Sequence, residues 1–196
     1  MNLEQTPTTR QEAVNYLLLT IGEHPVNTLE KNRSSYVDQA QQMIHRTSRQ
    51  VQSRGLYCNS EENYKMSLSP VDYGNYVIEV PENILKIDAS NDNKEVVRRG
   101  DRLYDKENHT FYFEEGIECD IVWFLEFEDL PQVVRDYITI KASRIYQSKI
   151  VGSEALYQFS MREEQQAYLR LKTEEIDTGD YNMLENQDIM QRMRRF

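Results

Sequence analysis

The sequence predicts an α+β fold: an antiparallel helical bundle body, a small antiparallel β-domain inserted into it, and an extended C-terminal arm. Three observations lead there. Helical periodicity opens the chain and returns after Pro131, short apolar runs between turn residues fill the stretch between, and the charge reverses at the C-terminal end. The implied boundaries are 1–55 with 129–176 for the helical body, 56–128 for the β-insertion and 177–196 for the arm. At 196 residues the chain can bury one good core and carry a smaller module within it.

Thr9 and Glu12 stand at capping-box spacing before Ala13, Val14, Leu17, Leu18 and Ile21, the broad apolar face of a first helix. Gly22 supplies the left-handed residue that ends it, and His24-Pro25 turns the chain. A second helix is predicted from Ser34 or Ser35, with Val37, Ala40, Ile44, Thr47 and Val51 as a narrow seam at alternating spacings of three and four. Gln39, Gln41, Gln42, Arg46, Arg49, Gln50 and Gln52 are expected on its surface, and Gly55 stops it.

From residue 56 to about 128 the pattern changes. Short apolar runs occur at 64–68, 76–80, 84–87, 96–98, 103–104, 111–113 and 117–125. Pro70, Gly74, Pro81, Asn91-Asp92-Asn93, Gly100, Asn108 and Gly116 punctuate them, which predicts a small sandwich or barrel with the prolines at strand ends or edges. A third helix starts at Pro131 and turns Val133, Val134, Tyr137, Ile138, Ala142 and Ile145 to the core, ending at Gly152. A fourth, after Ser153, has only Leu156, Phe159, Ala167 and Leu171 on a sparse face, so it is expected to find burial against a partner. Beyond 177–180 the chain is expected to be irregular.

Composition narrows the function classes. The net charge is −10 and the pI about 4.9, which disfavours duplex binding because phosphate neutralisation needs Lys and Arg. An acidic wall would instead let DNA slide past. The 13 tyrosines suit protein interfaces. Cys58 and Cys119 form no CxxC pair; a disulfide stays open, and a reduced, cytosolic protein is the better reading. The first residues lack a signal peptide's basic and apolar regions, and no run reaches the roughly 18 apolar residues of a membrane span.

Catalytic patterns are poor. His24, His45 and His109 fall in a turn, a helix and a loop, without ligand spacing, so no metal and no cofactor is predicted. No phosphate loop or GxSxG occurs. The acid doublets Glu61-Glu62, Glu114-Glu115, Glu163-Glu164 and Glu174-Glu175 read as solvated surface. The C-terminal charge reversal is more specific. Residues 153–188 hold nine acids against Arg162, Arg170 and Lys172, whereas 189–196 hold Arg192, Arg194 and Arg195 and no acid. That pattern suits a docking arm in which Tyr181, Met183, Leu184, Met190, Met193 and Phe196 make apolar contact and the arginines meet carboxylates on a neighbour. A frayed, charge-solubilised tail is the plainer alternative.

The stretch 13–30, AVNYLLLTIGEHPVNTLE, resembles the opening of the tail tubular protein A family, adaptor proteins between head and tail of short-tailed phages. The resemblance lies in Val14, Asn15, Leu17, Leu18, Ile21, Gly22, Glu23, Pro25, Val26, Thr28, Leu29 and Glu30. RQVQSRG at 49–55, VRRGDRLY at 97–104, Leu130-Pro131, Lys141-Ala142-Ser143-Arg144 and GDYNML at 179–184 continue it in the family's order. Leu56 and Cys58 depart from it, where a Trp and a Phe are expected. The resemblance implies a non-enzymatic virion protein, made in the host cytoplasm and acting in the tail. It also implies a twelvefold ring beneath the portal protein and above the tail nozzle (tail tubular protein B), with tail fibre protein attached at that junction. Genomic DNA would pass through the ring without specific binding, and nothing would insert in a membrane.

On this reading the helices pack side by side around the ring, and the β-insertion offers edge strands and tyrosines to nozzle and fibre. The alternative is a tail-associated cell-wall or polysaccharide hydrolase, which needs two carboxylates among Glu114, Glu118, Asp120 and Glu128 to converge across a groove. A stand-alone nucleic-acid binder is disfavoured by charge.

Overall fold

The computed structural model describes residues 7–29, 35–90 and 94–185, with residues 72 and 179–185 as backbone only. The α+β class holds: among the described residues four α-helices accompany small antiparallel sheets. The chain divides into two compact units, 1–51 with 126–196, and 52–125.

In the helical unit, α1 (Arg10–Thr20) starts with a complete capping box. The Glu12 N–H donates to Thr9 Oγ1 (3.2 Å) and the Thr9 N–H donates to Glu12 Oε2 (2.8 Å). Such a cap contributes about 1 kcal/mol. The helix closes with Gly22 at φ +83°, where the Gly22 N–H reaches Leu19 C=O and the Glu23 N–H reaches Leu18 C=O. That Schellman pair satisfies two carbonyls that the helix end would otherwise strand. Asn15 then holds the returning chain: its Nδ2 donates to Val26 C=O (3.0 Å) and its Oδ1 accepts from the Val26 N–H (2.8 Å).

The predicted seam of α2 (Ser35–Gln52) is buried at all five positions, Val37, Ala40, Ile44, Thr47 and Val51. One neighbour corrects the expectation: Gln52 is fully buried rather than on the surface. In α3 (Gln132–Ile150) Val134, Tyr137, Ile138 and Ala142 are buried as expected, whereas Val133 and Ile145 are half-buried and Tyr146 takes the last core position. Pro131 stands as the N-cap, one residue before the helix. The Tyr146 hydroxyl donates to Tyr36 C=O (2.9 Å), tying α3 to the start of α2.

α4 runs over Glu154–Glu185, which corrects the expectation of irregular chain beyond 177–180. Gly179 lies inside the helix, and its cost of about 1 kcal/mol does not end it. Helices α1 and α3 run the same way, since Thr8 meets Gln132 while Thr20 C=O meets Gln147. α4 runs opposite to α3. Arg144 pairs with Glu164, and the Tyr137 and Tyr168 rings stand 5.6 Å apart. That register brings Gln132 level with 173–176, so α4 continues past the start of α3.

In the β unit, β1 (Ser60–Met66), β7 (Ile117–Trp123) and β4 (Ile84–Ala89) form an antiparallel sheet in the order β1-β7-β4. β7 is central and alternates as one buried face demands: Ile117, Cys119 and Ile121 in, Glu118 and Asp120 out. β5 (Val96–Arg99) pairs with β6 (Arg102–Asp105), and the short β2 (Ser69–Pro70) with β3 (Tyr76–Val77). Ile78, Val80, Leu103, Phe113 and Met66 complete the core. Residues 111–113, expected as a strand, are not one; among them only the Phe113 N–H bonds a strand residue, Tyr76, through its C=O (3.0 Å). Gly116 is required by space, because a Cβ there would lie 2.7 Å from Met66 C=O.

Candidate assembly surfaces

Three polar residues that the sequence put on the surface or left unmarked hold the architecture. Buried Asn59 donates from Nδ2 to Gln52 C=O (3.1 Å) and Trp123 C=O (2.6 Å), and its Oδ1 accepts from the Leu56 N–H (2.8 Å). Gln52 does the same for Leu125: Nε2 donates to its C=O (2.9 Å) and Oε1 accepts its N–H (2.8 Å). Together they clasp the two ends of the β unit. In the helical unit Arg135, 8% exposed, gathers the carbonyls of Leu130 (2.6 Å), Thr8 (2.9 Å) and Glu128. A buried guanidinium with each of its three nitrogens hydrogen-bonded is tolerated where a bare charge is not.

Three surfaces are available for contact. The first is a groove of about 220 Å³ between α2 and the end of α3. Met43, Tyr146 and Ile150 give it apolar walls, Gln39 and Gln42 line one side, and Arg46 and Lys149 are its charges. The second is the outward side of α4. Ala167 and Leu171 are buried, but Phe159, Leu169 and Ile176 are 65%, 64% and 59% exposed. The expected sparse face therefore splits, with Leu156 and Phe159 turned outward and Ala167 and Leu171 inward. Arg144 and Glu164 pair beneath it, and the Arg144 guanidinium lies 5.4 Å from the Tyr157 ring.

The third surface belongs to the β unit. β1 is an edge strand exposed along 60–65, and its bulge, with Asn63 at φ +56°, breaks a regular pairing edge. Tyr73, Tyr76 and Tyr112 are exposed, Tyr73 wholly, on a backbone at φ +63° that bulky residues rarely adopt. Phe111 packs edge-on against Tyr104 with ring centroids 4.9 Å apart, and the Arg99 guanidinium lies over the Tyr104 ring at 3.6 Å.

The carboxylates considered for hydrolysis are each exposed or engaged by a local partner. Glu114 is exposed, and Glu118 faces Lys65 at 3.6 Å. Asp120 accepts from Ser90 Oγ (2.5 Å) and the Asn63 N–H (3.0 Å), which hold its carboxyl below the usual range, opposite to what a general acid needs. Glu128 belongs to the helical unit and pairs with Arg10 at 3.2 Å. Among the described residues no group of His, Cys, Asp and Glu is arranged to hold a metal ion. Among them, too, no helix is long and apolar enough to cross a membrane.

The decisive observation is a family-model match described as tail tubular protein, spanning residues 11–181. The chain belongs to the tail tubular protein family. A similar relative is the tail tubular protein A of Klebsiella phage KP34, 34% identical over 122 residues, 62% of each chain. The match thus spans less than two thirds of that relative's length. Membership makes the protein a structural component of a phage tail. Of the residues proposed for the interface, Tyr181, Met183 and Leu184 fall on the last turns of α4, where the structure describes backbone only. Met190, Arg192, Met193, Arg194, Arg195 and Phe196 lie outside the described residues.

Proposed function

We propose that this tail tubular protein forms the adaptor ring that joins the portal protein to the tail nozzle, in twelve copies, around part of the channel for DNA ejection. The observation that carries this reading is the family match over 11–181. In this reading the helical body, 1–55 with 129–176, builds the ring wall, and the β-domain, 56–128, faces nozzle and fibre through its tyrosines. The arm, 177–196, docks on a neighbour or on the portal, with Tyr181, Met183, Leu184, Met190, Arg192, Met193, Arg194, Arg195 and Phe196 as its contacts. Its role is mechanical, with no catalysis and no cofactor. The local engagement of two candidate carboxylates supports that, since Asp120 accepts from Ser90 and Glu128 pairs with Arg10.

The chain is made in the host cytoplasm and ends in the virion tail. The net charge of −10, multiplied around a ring, would let DNA slide without adhering. Co-sedimentation with the cognate portal tests the proposal. Wild-type chain should move with the portal, and a chain lacking residues 180–196 should keep its helical signal but fail to assemble or dock. Normal assembly of the truncated chain would refute the arm.

A further inference from the structure

We propose that the groove between α2 and α3 receives residues 177–185 of α4 from a second copy of this chain, making a head-to-tail contact. The inference rests on the ring reading and assigns both halves of its subunit contact. The groove supplies one half. Its walls are Met43, Tyr146 and Ile150, and its charges, Arg46 and Lys149, have no acidic partner among the described residues. The same end of the bundle exposes Leu19, Ile150 and Val151. The surface thus asks for a segment both apolar and acidic.

The chain has such a segment at the other end of the bundle. Past the start of α3, α4 continues through 177–185 for about 13 Å at 1.5 Å per residue. Its sequence there, DTGDYNMLE, holds Asp177, Asp180 and Glu185 with no base, and Tyr181, Met183 and Leu184 between them. Residues 189–196 suit the groove poorly, because their three arginines would meet Arg46 and Lys149.

Geometry excludes the chain's own groove. Tyr146, Lys149 and Ile150 lie in the last turns of α3, whereas the continuation of α4 begins level with the first turn of α3. The two are about 25 Å apart along a straight helix. A contact between opposite ends of identical subunits is heterologous, the kind that closes rings. Seven residues line the groove, short of the roughly 20–30 a side of a free-standing interface, so the contact acts alongside others in the closed ring.

The test is a charge swap in the assembled particle, with each variant supplied in trans to a phage deleted for this gene. The groove variant is Arg46→Glu with Lys149→Glu, the helix variant Asp177→Lys, Asp180→Lys and Glu185→Lys, and the third chain carries both sets. Each single set should lower plaque titre on the order of 100-fold, as for lost buried charge pairs, and the combined chain should recover to within about tenfold of wild type. A neutral groove variant, or a combined chain as defective as either set, overturns the proposal. Both groove positions are exposed. If the reversed groove nevertheless melts early, Arg46→Gln with Lys149→Gln replaces it under the same criteria. Images of the wild-type tails separate the two claims: absence of a ring of this chain ends the ring reading, whereas a ring with a neutral groove variant ends only the groove assignment.

Discussion

Replacing Asn59 with Ala should unfold the β unit at markedly lower denaturant. The side chain makes three hydrogen bonds, to the Leu56 N–H (2.8 Å), Gln52 C=O (3.1 Å) and Trp123 C=O (2.6 Å), and is almost wholly buried. A buried group left without its partner costs about 1–3 kcal/mol. Gln52 C=O keeps the Gly55 N–H (3.0 Å), so its loss is the smallest of the three. The sum is about 3 kcal/mol. The assay is urea unfolding followed by fluorescence of Trp123, the single tryptophan, which lies in this unit with Tyr64 edge-on at 5.6 Å. With a slope of about 1–3 kcal/mol/M the midpoint should fall by 1 M or more at unchanged slope. Asn59→Asp is the sharper control. It keeps the acceptor for Leu56 but turns a carboxylate toward two carbonyls, so it should be as unstable as Ala at neutral pH and partly recover when the acid protonates. A loss below about 0.5 kcal/mol for Ala, or an Asp variant as stable as wild type, would refute the clasp.

Two further outcomes follow from the buried polar chemistry. Arg135→Met should lower stability by about 3 kcal/mol, because the carbonyls of Leu130, Thr8 and Glu128 lose their shared donor; thermal unfolding by circular dichroism at 222 nm reads it, and an unchanged midpoint contradicts it. Burial, with Asp120 and Asp88 nearby, pushes the Cys119 thiol up to about 11. The folded state therefore holds this proton longer than the unfolded chain does. The stability it contributes is complete below about pH 9 and lost as pH rises to about 11. Burial also raises the Tyr16 and Tyr146 hydroxyls, in the same direction. Urea midpoints measured from pH 8 to 11 should fall, and Cys119→Ala should flatten part of the slope.

The parts legible in the sequence are those that a period writes directly. Thr9 with Glu12, the five-residue seam of α2 and the glycine at 22 each encode a local geometry, and each is found. Gln52, Asn59 and Arg135 were not legible, because composition sends polar residues to the surface and only the fold brings stranded carbonyls to them. Gln52 left one trace: with Ser48, also buried, it flanks the α2 seam at i,i+4. Residues 111–113 misled through aromatic content; Phe113 is buried in the core without a strand. The polar stretch 177–180 misled as an end of regular structure, since α4 runs through it to Glu185. The groove between α2 and α3 has no sequence signature, since Met43 and Arg46 are joined to Tyr146 and Lys149 only by packing. The family was legible in ordered fragments, and the match over 11–181 spans all of them but the end of the last.

Electron cryomicroscopy of the chain mixed with its cognate portal tests the adaptor role most directly. The account predicts a closed twelvefold ring of this protein stacked on the portal, with density for the β unit turned toward the nozzle side. A chain that stays monomeric and unattached beside intact portals would contradict it.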